Sequence, residues 1–296
     1  MFRIVDTTCA SRSMTTAEQG AAILIPASNA AIAKSPLLKW AGGKRWLVNR
    51  VELPLPVHFK RYVEPFFGGG ALFFHLSPRK ALLGDLNSQL INTYCAVRDS
   101  WVAVEEKLSR HAMSHSSEYY YKIRMSRYED PIEEAARFIY LNRTCWNGLY
   151  RVNQKGEFNV PIGTKTKVLI PGELRSISAA LAGASLSAAD FAHTMADTSE
   201  GDFVYVDPPY TVKHNVNGFL KYNQTLFSWE DQIRLKNEVR AACLRGAKVL
   251  VSNAAHESLY LLYRDIGEVI TIDRASVISG SNAGRKREQE ILVKCF

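Results

Sequence analysis

In "DFVYVDPPYT", Asp202 to Thr211, an apolar run ends on a carboxylate, two prolines and a tyrosine. Proline fixes φ at about −65° and restricts the residue before it, so Pro208 and Pro209 stop a strand and hold the Pro208 carbonyl in a set direction. Asp207 supplies a second acceptor beside it, and Tyr210 supplies a ring face. A strand end built this way can accept two hydrogen bonds from one small polar group and stack against the ring that carries it.

Other strand ends carry related chemistry. Glu64, Pro65 and Phe66 close the run "RYVEP" and lead into "FFGGGALFF", where Gly68 to Gly70 precede a helical pattern. Consecutive glycines there mean that something approaches the backbone closely, or that the turn needs positive φ. A purely structural turn is the alternative. The next run, "ALLGD", ends on Asp85, placed to accept from ribose hydroxyls in the crevice outside the carboxyl ends of an open α/β sheet. A further run, "ASLSAAD", ends on Asp190, followed by Phe191; Asp is equally at home as a helix N-cap.

Two nucleotide-phosphate motifs fail. "KWAGGKRW" has Leu38 where a phosphate loop needs glycine and Arg45 where it needs Ser or Thr, and "FFGGGALFF" has Phe73 in place of the last dinucleotide-fingerprint glycine. A nucleoside-bearing ligand without a demanding phosphate site fits these strand ends best.

The elements that must position these residues are an alternation of buried strands and helices. The runs are "RYVEP", "ALLGD", "ASLSAAD", "DFVYVD", "AKVLVSN", "EVITID" and "QEILVKCF". Continuous apolar strands of this kind predict an α/β sheet covered on both faces. Among the helices, "SWEDQIRLKNEVRAACLRG" has Ser228 as N-cap, Asp231 three residues on, apolar Ile233, Leu235, Val239 and Leu244, and Gly246 as its stop. Between Ile91 and about Leu181 the alternation lapses into aromatic and basic helices, then "NGLYRVNQKGEFNVPIG", whose "NQKGE" offers a hairpin turn. Residues 36–91 and 182–296 therefore form the sheet domain, 92–181 an inserted lobe, and 1–35, rich in Ala, Ser and Thr, a weakly ordered extension.

The 296 residues, 47% hydrophobic, can bury one large core or one core with a smaller lobe. No run is long enough for a membrane helix, and "AAILIPA" is too short and too near Glu18 for a secretory signal, so a cytoplasmic location and no membrane partner are expected. Five cysteines without a C-x-x-C pair suggest neither a zinc cluster nor a disulfide framework. The net charge of +8 is consistent with a polyanionic partner where it is concentrated: Arg143, Arg151, Lys155, Lys165 and Lys167 against the single acid Glu157, and "GRKRE" at 284–288; a solvated loop is the alternative at each place.

In order along the chain, "LKWAGGK", "VEPFFGGGALFF", "GDLN", "NGLYRVNQKGEFNVPIG" and "DPPY" resemble the Dam-type family of DNA adenine-N6 methyltransferases, the D12 class and its GATC-specific branch. The resemblance covers Leu37 to the C-terminus. It implies a Rossmann-like S-adenosylmethionine-dependent methyltransferase sheet, an inserted helical and β-hairpin target-recognition lobe, double-stranded DNA as partner, and no obligate protein partner. By that likeness Trp40 and Lys44 contact the methionine end of the cofactor, Glu64, Pro65, Phe66, Gly68 and Gly70 shape its pocket, Asp85 binds the ribose, and Asp190 with Phe191 binds the adenine. Asp207 adjoins the cofactor as well. On the DNA side, Trp146 and Asn147 insert near a flipped base, Leu149, Arg151 and Pro161 lie where GATC is read, and Arg143, Asn153 and Lys155 complete the contact surface. "RTCW" departs from the family, which more usually has an aromatic residue or a glycine before the Trp146 position. A buried core role for Trp146 is the alternative, since Trp is usually largely buried.

The chemistry implied for DPPY follows from adenine itself. Its exocyclic amine is a poor nucleophile because the lone pair is delocalised into the ring. Asp207 and the Pro208 carbonyl, each accepting one amino hydrogen, would favour the pyramidal amine and align it with the sulfonium methyl, which positioning of this kind can assist by several kcal/mol. Tyr210 would stack on the extruded base. The methyl then passes directly from sulfur to nitrogen, leaving S-adenosylhomocysteine, and a proton leaves the nitrogen afterwards; no metal is required and no covalent enzyme intermediate forms. Two other readings fit the residues: the same chemistry on another short DNA site or on RNA, and a DNA-binding regulator without catalysis.

Overall fold

The computed structural model describes residues 8–9, 23–24, 35–48, 53–153, 155–211, 227–274 and 288–296. Its main sheet holds the two-residue strand Thr8–Cys9 at one edge and seven longer strands: β1 (Tyr62–Glu64), β2 (Ala81–Asp85), β3 (Ala184–Ala188), β4 (Phe203–Val206), β5 (Lys248–Ala254), β6 (Glu268–Arg274) and β7 (Glu288–Cys295). Their order is β3-β2-β1-β4-β5-β7-β6. All pairings from β3 to β5 are parallel, and β7 runs antiparallel to both its neighbours. The result is a mixed α/β fold with a mostly parallel sheet, consistent with the expected methyltransferase fold. The connections turn to opposite sides between β1 and β4, so the crevice at a topological switch point lies where Glu64 and Asp207 end their strands.

Every apolar run read from the sequence as a strand is one. Of the expected N-terminal extension, Thr8–Cys9 pairs with β3 and Ile23–Leu24 pairs with His58–Phe59. The rest of residues 1–34, and 284–287 of "GRKRE", lie outside the described residues.

The helices are α1 (Arg45–Val48), α2 (Ala71–Leu76), α3 (Ser88–Met113), α4 (Ser117–Met125), α5 (Pro131–Thr144), α6 (Glu173–Leu181), α7 (Phe191–Ala196), α8 (Trp229–Leu244) and α9 (Glu257–Tyr263). Four of them, α3 to α6, lie between β2 and β3. Helix α3 is kinked at Ser100 (φ −147°, ψ 39°), and Arg137 of α5, 2% exposed, donates to the Ile123 and Arg124 carbonyls at the end of α4. That arginine satisfies carbonyls a helix end would otherwise leave unpaired.

Helix α8 starts as expected, with reciprocal bonds between Ser228 and Asp231, and Gly246 follows it at φ 88°. Its buried stripe, however, is Gln232, Leu235, Val239 and Ala242, whereas Ile233 and Leu244 are 43% and 84% exposed. Ile233 sits one residue, about 100° of rotation, away from Gln232, so the buried face is recruited by position and takes in a polar side chain. Gln232 is accommodated because its amide oxygen accepts from Asn253 and Tyr263.

Strand side chains alternate between two apolar clusters, as the period of two requires. Tyr62, Leu83, Tyr205, Leu250 and Leu292 face one, which continues without a break into Tyr94, Leu108, Tyr120, Phe138 and Ile139 of α3 to α5. Val63, Val204, Val206, Val249, Val251 and Ile291 face the other, under α8 and α9. Among the described residues no helix is long and apolar enough to cross a membrane.

Candidate active site

Parity along the strands brings the polar groups together. Glu64, Asp207, Ser252 and Glu290 share the face of Tyr62, Tyr205, Leu250 and Leu292, and the parallel strands put the first three at one carboxyl edge. Glu290 arrives there because β7 is antiparallel, its start paired with the end of β5 (Glu290 opposite Ala254).

Asp207 is held asymmetrically. Its Oδ1 accepts the Lys44 ammonium at 2.8 Å and the Ser252 hydroxyl at 2.7 Å. Ser252 Oγ in turn lies 3.1 Å from the Tyr205 hydroxyl. Among the described residues no donor reaches Oδ2. Lys44, 3% exposed, also donates to the Gly42 carbonyl at 2.9 Å, stands 4.7 Å from the centre of the Tyr210 ring, and lies 4.0 Å from Glu290, which is 2% exposed. Burial pushes the phenols of Tyr205 and Tyr210 well above their usual range, with the Asp207 charge adding to it. Both therefore remain protonated, and Tyr205 can donate to Ser252. Glu64 is buried; desolvation raises its carboxyl well above the usual range, the Tyr62 hydroxyl at 2.9 Å opposes this, and the charges of Asp207 and Asp85 add to it.

At the neighbouring strand ends, Gly68 (φ 47°) and Gly70 (φ 65°) adopt the left-handed backbone their position demanded. A Cβ on Gly68 would stand 2.8 Å from Trp40 Cδ1, so Trp40 is what approaches this turn, its ring in turn stacked on Tyr150 with centroids 5.0 Å apart. The Gly68 and Asn87 N–H groups donate to the two oxygens of Asp85 at 2.8 and 2.9 Å. Burial raises the Asp85 carboxyl, opposed by these two bonds. Pro65 is buried, and Phe66 stacks on Phe191 at 5.3 Å. Asp190 does cap a helix, accepting the Ala192 N–H at 2.9 Å, and it also clasps Arg234 through both oxygens at 2.8 and 2.9 Å. The Arg234 guanidinium lies 4.2 Å over the Phe191 ring.

The region expected to face DNA divides. Trp146 is 52% exposed and Leu149 41% exposed, which removes the core alternative for Trp146. They flank Asn147 (φ 55°) and Gly148 (φ 66°) in a single 3-10 turn, and the Trp146 N–H donates to the carbonyl of exposed Pro161 at 2.9 Å. The hairpin turn forms with Gly156 at φ 74°, its backbone braced by Asn153 Oδ1, which accepts the Lys155 and Glu157 N–H groups. Lys155 is exposed, as is Arg151, which donates to Asn159 at 2.8 Å. Arg143 corrects the expectation. Instead of facing outward it is 10% exposed, donates to the Val168 carbonyl and pairs with Glu173 of α6. Its last-turn position on α5 faces α6, so its charge is spent on internal packing.

Sequence reasoning missed Ser252, Tyr205, Glu290 and Arg234. Ser252 had a signal, a polar residue at the close of the apolar run "VLV", whereas Glu290 had none, being the last of three polar residues that open β7. Arg234 had none, being one charge among several on α8.

The family of D12 class N6 adenine-specific DNA methyltransferases matches residues 40–278. The chain is 37% identical over 268 residues to the Type II methyltransferase M1.LlaDCHI of Lactococcus lactis subsp. cremoris, covering 87% of this chain and 94% of that one. It is 36% identical to the Type II methyltransferase M.MjaIII of Methanocaldococcus jannaschii, over 74% of this chain and 84% of that one. With the DNA adenine methylase of Escherichia coli K12 it shares 33% identity, over 86% and 93% of the two chains.

Proposed function

Since the chain belongs to the D12 class N6 adenine-specific DNA methyltransferases, we propose that it methylates the N6 amine of a flipped adenine in double-stranded DNA, within GATC, using S-adenosylmethionine. The observation that carries the site assignment is the asymmetry of Asp207: one oxygen is filled by Lys44 and Ser252, and the other is left for an incoming amine hydrogen.

The residues suit the cofactor by their chemistry. Asp85, fixed by two backbone donors, has the acceptor a ribose diol requires, Phe66 and Phe191 provide an apolar ring surface, Asp190 can accept from an adenine amine, and Lys44 can meet a carboxylate. The exposed Leu86 beside Asp85 adds apolar surface at the same edge. When bound, the cofactor supplies an electrophilic methyl on a cationic sulfur.

The chain's own residues do the rest. Asp207 Oδ2 and the Pro208 carbonyl each accept one amino hydrogen, drawing the nitrogen lone pair out of conjugation, while Tyr210 stacks on the extruded ring and Pro209 keeps the turn rigid. Trp146 and Asn147, on an exposed turn, brace the gap that extrusion leaves, at a cost of a few kcal/mol to be offset by contacts elsewhere. Arg151 has the fork that reads guanine O6 and N7, Leu149 and Pro161 add contacts beside it, and Lys155 at the hairpin turn suits a phosphate.

The test is plasmid DNA from cells expressing the protein, challenged with nucleases blocked by adenine methylation in GATC. Full protection is expected with the wild type and none with Asp207→Ala. Methylated adenine in another sequence would retain the chemistry and replace the target, a reading that the similarity to Type II methyltransferases keeps in play.

A further inference from the structure

The way Asp207 is held points to a positioning device made by two neighbouring strands. Ser252 is fully buried at the end of β5, and Tyr205, 1% exposed, lies two residues before Asp207 on β4. Their hydroxyls stand 3.1 Å apart, and Ser252 Oγ stands 2.7 Å from Asp207 Oδ1. The direction of the chain is set by chemistry: a carboxylate can only accept, so Ser252 donates to Asp207, and its oxygen is then free to accept from Tyr205. A serine hydroxyl rotates freely, and a donor behind it fixes its hydrogen on Oδ1.

We infer that Tyr205 and Ser252 form a positioning relay that pins Oδ1 of Asp207, so that Oδ2 faces the amine at one angle. This rests on the reading of Asp207 as the acceptor of an amino hydrogen. Neither hydroxyl touches the reacting atoms, and of the groups assigned to the cofactor Ser252 contacts only Asp207. The other ionisable groups around Asp207 are Lys44 from the loop before α1, Tyr62 and Glu64 from β1, Tyr210 after β4 and Glu290 from β7. Lys44 alone can bind Oδ1 from only one side, and a carboxylate held by a single donor still swings about its terminal torsion. The second donor removes that freedom, and positioning losses of this kind appear in kcat rather than in binding.

The test uses the full-length protein and a GATC duplex, with steady-state methylation by S-adenosylmethionine, far-UV circular dichroism as a fold check, and Asp207→Ala alongside. For Ser252→Ala, kcat should fall about 10- to 100-fold, the loss of one hydrogen bond to a charged group, with KM for S-adenosylmethionine unchanged within about twofold. Ser252→Thr, which keeps the hydroxyl, should restore most of kcat even if the alanine variant folds poorly. Tyr205→Phe should cost less than Ser252→Ala, and the double variant no more than Ser252→Ala alone, because Tyr205 acts only through Ser252. Wild-type kcat in Ser252→Ala, a threonine variant no better than alanine, or multiplying losses in the double variant would each overturn the relay while leaving Asp207 in place. An active Asp207→Ala enzyme would instead overturn the underlying assignment and the relay with it.

Discussion

Replacing Lys44 by Met tests the charge arrangement at its centre. The ammonium is 3% exposed and sits 2.8 Å from an Asp207 oxygen in a side chain 17% exposed, so both charges are largely removed from water. Deleting one partner of such a pair costs about 3–5 kcal/mol because the other charge is stranded. Asp207 keeps Ser252 and some solvent, which places the expectation near the lower end, at about 3 kcal/mol. Against a total stability of about 5–15 kcal/mol for a typical protein, that is a large share. Asp207→Asn should also destabilise, by stranding Lys44 with Glu290 at 4.0 Å as its nearest remaining acid. The double variant removes both charges, so its cost should fall short of the sum by about 2 kcal/mol. Urea denaturation of the four proteins at pH 7.5, followed by tryptophan fluorescence, measures the cycle. Costs that add to within about 0.5 kcal/mol would mean that the pair is not coupled and that Lys44 does not hold Asp207.

Two further expectations rest on other parts of the molecule. Desolvation lowers the His111 pKa from its usual 6.5 to about 4, with Glu133 opposing and Arg137 reinforcing the shift. The unfolded chain therefore takes up its proton first, and stability falls as pH drops from about 6.5 towards 4. Between pH 7.5 and 5 this should cost about 2 kcal/mol, a dependence that denaturation curves of His111→Phe should lack; an equal dependence in the variant would locate the effect elsewhere. Arg143→Ala should lower stability without changing the salt dependence of DNA binding. Lys155→Ala should leave stability unchanged and reduce the salt slope by about 1. The reverse pattern in a fluorescence-anisotropy salt titration would put Arg143 at the phosphates after all.

Local pattern made much of this molecule readable. Most of the strands are short apolar runs closed by an acid, a proline or an asparagine, because a strand covered on both faces keeps few polar positions to confuse its signal. The same closures, Asp85, Asp190 and Asp207, mark the edge where the candidate site lies. What could not be read were relations between distant segments. Ser252 reaches Asp207 only because β5 lies beside β4, and Glu290 joins them because β7 runs backwards in the sheet; neither register is written in the local sequence. Arg143 looked like part of a basic surface, and only the packing of α6 against α5 supplies Glu173 to turn it inward. On α8, apolar type suggested Ile233 and Leu244, but the face turned toward the sheet takes Gln232, which Asn253 and Tyr263 make tolerable.

The stitching of Lys39 to Asn142 has a consequence for how new target sequences can arise. The Lys39 backbone N–H donates to the Asn142 side chain at 2.9 Å, the Asn142 amide returns a bond to the Lys39 carbonyl at 2.9 Å, and Trp40 stacks on Tyr150 beyond them. Residues 88–181 are thus buttoned to the segment that carries Lys44. Grafting a relative's 88–181 alone would break that fastening wherever the graft lacks an asparagine at the Asn142 position or a ring at the Tyr150 position, whereas moving it together with residues 36–48 would carry both halves across. On the proposed reading, target change in such a chain would proceed by substitutions on exposed side chains such as Leu149 and Arg151, and wholesale exchange of the segment would require its partner to travel with it.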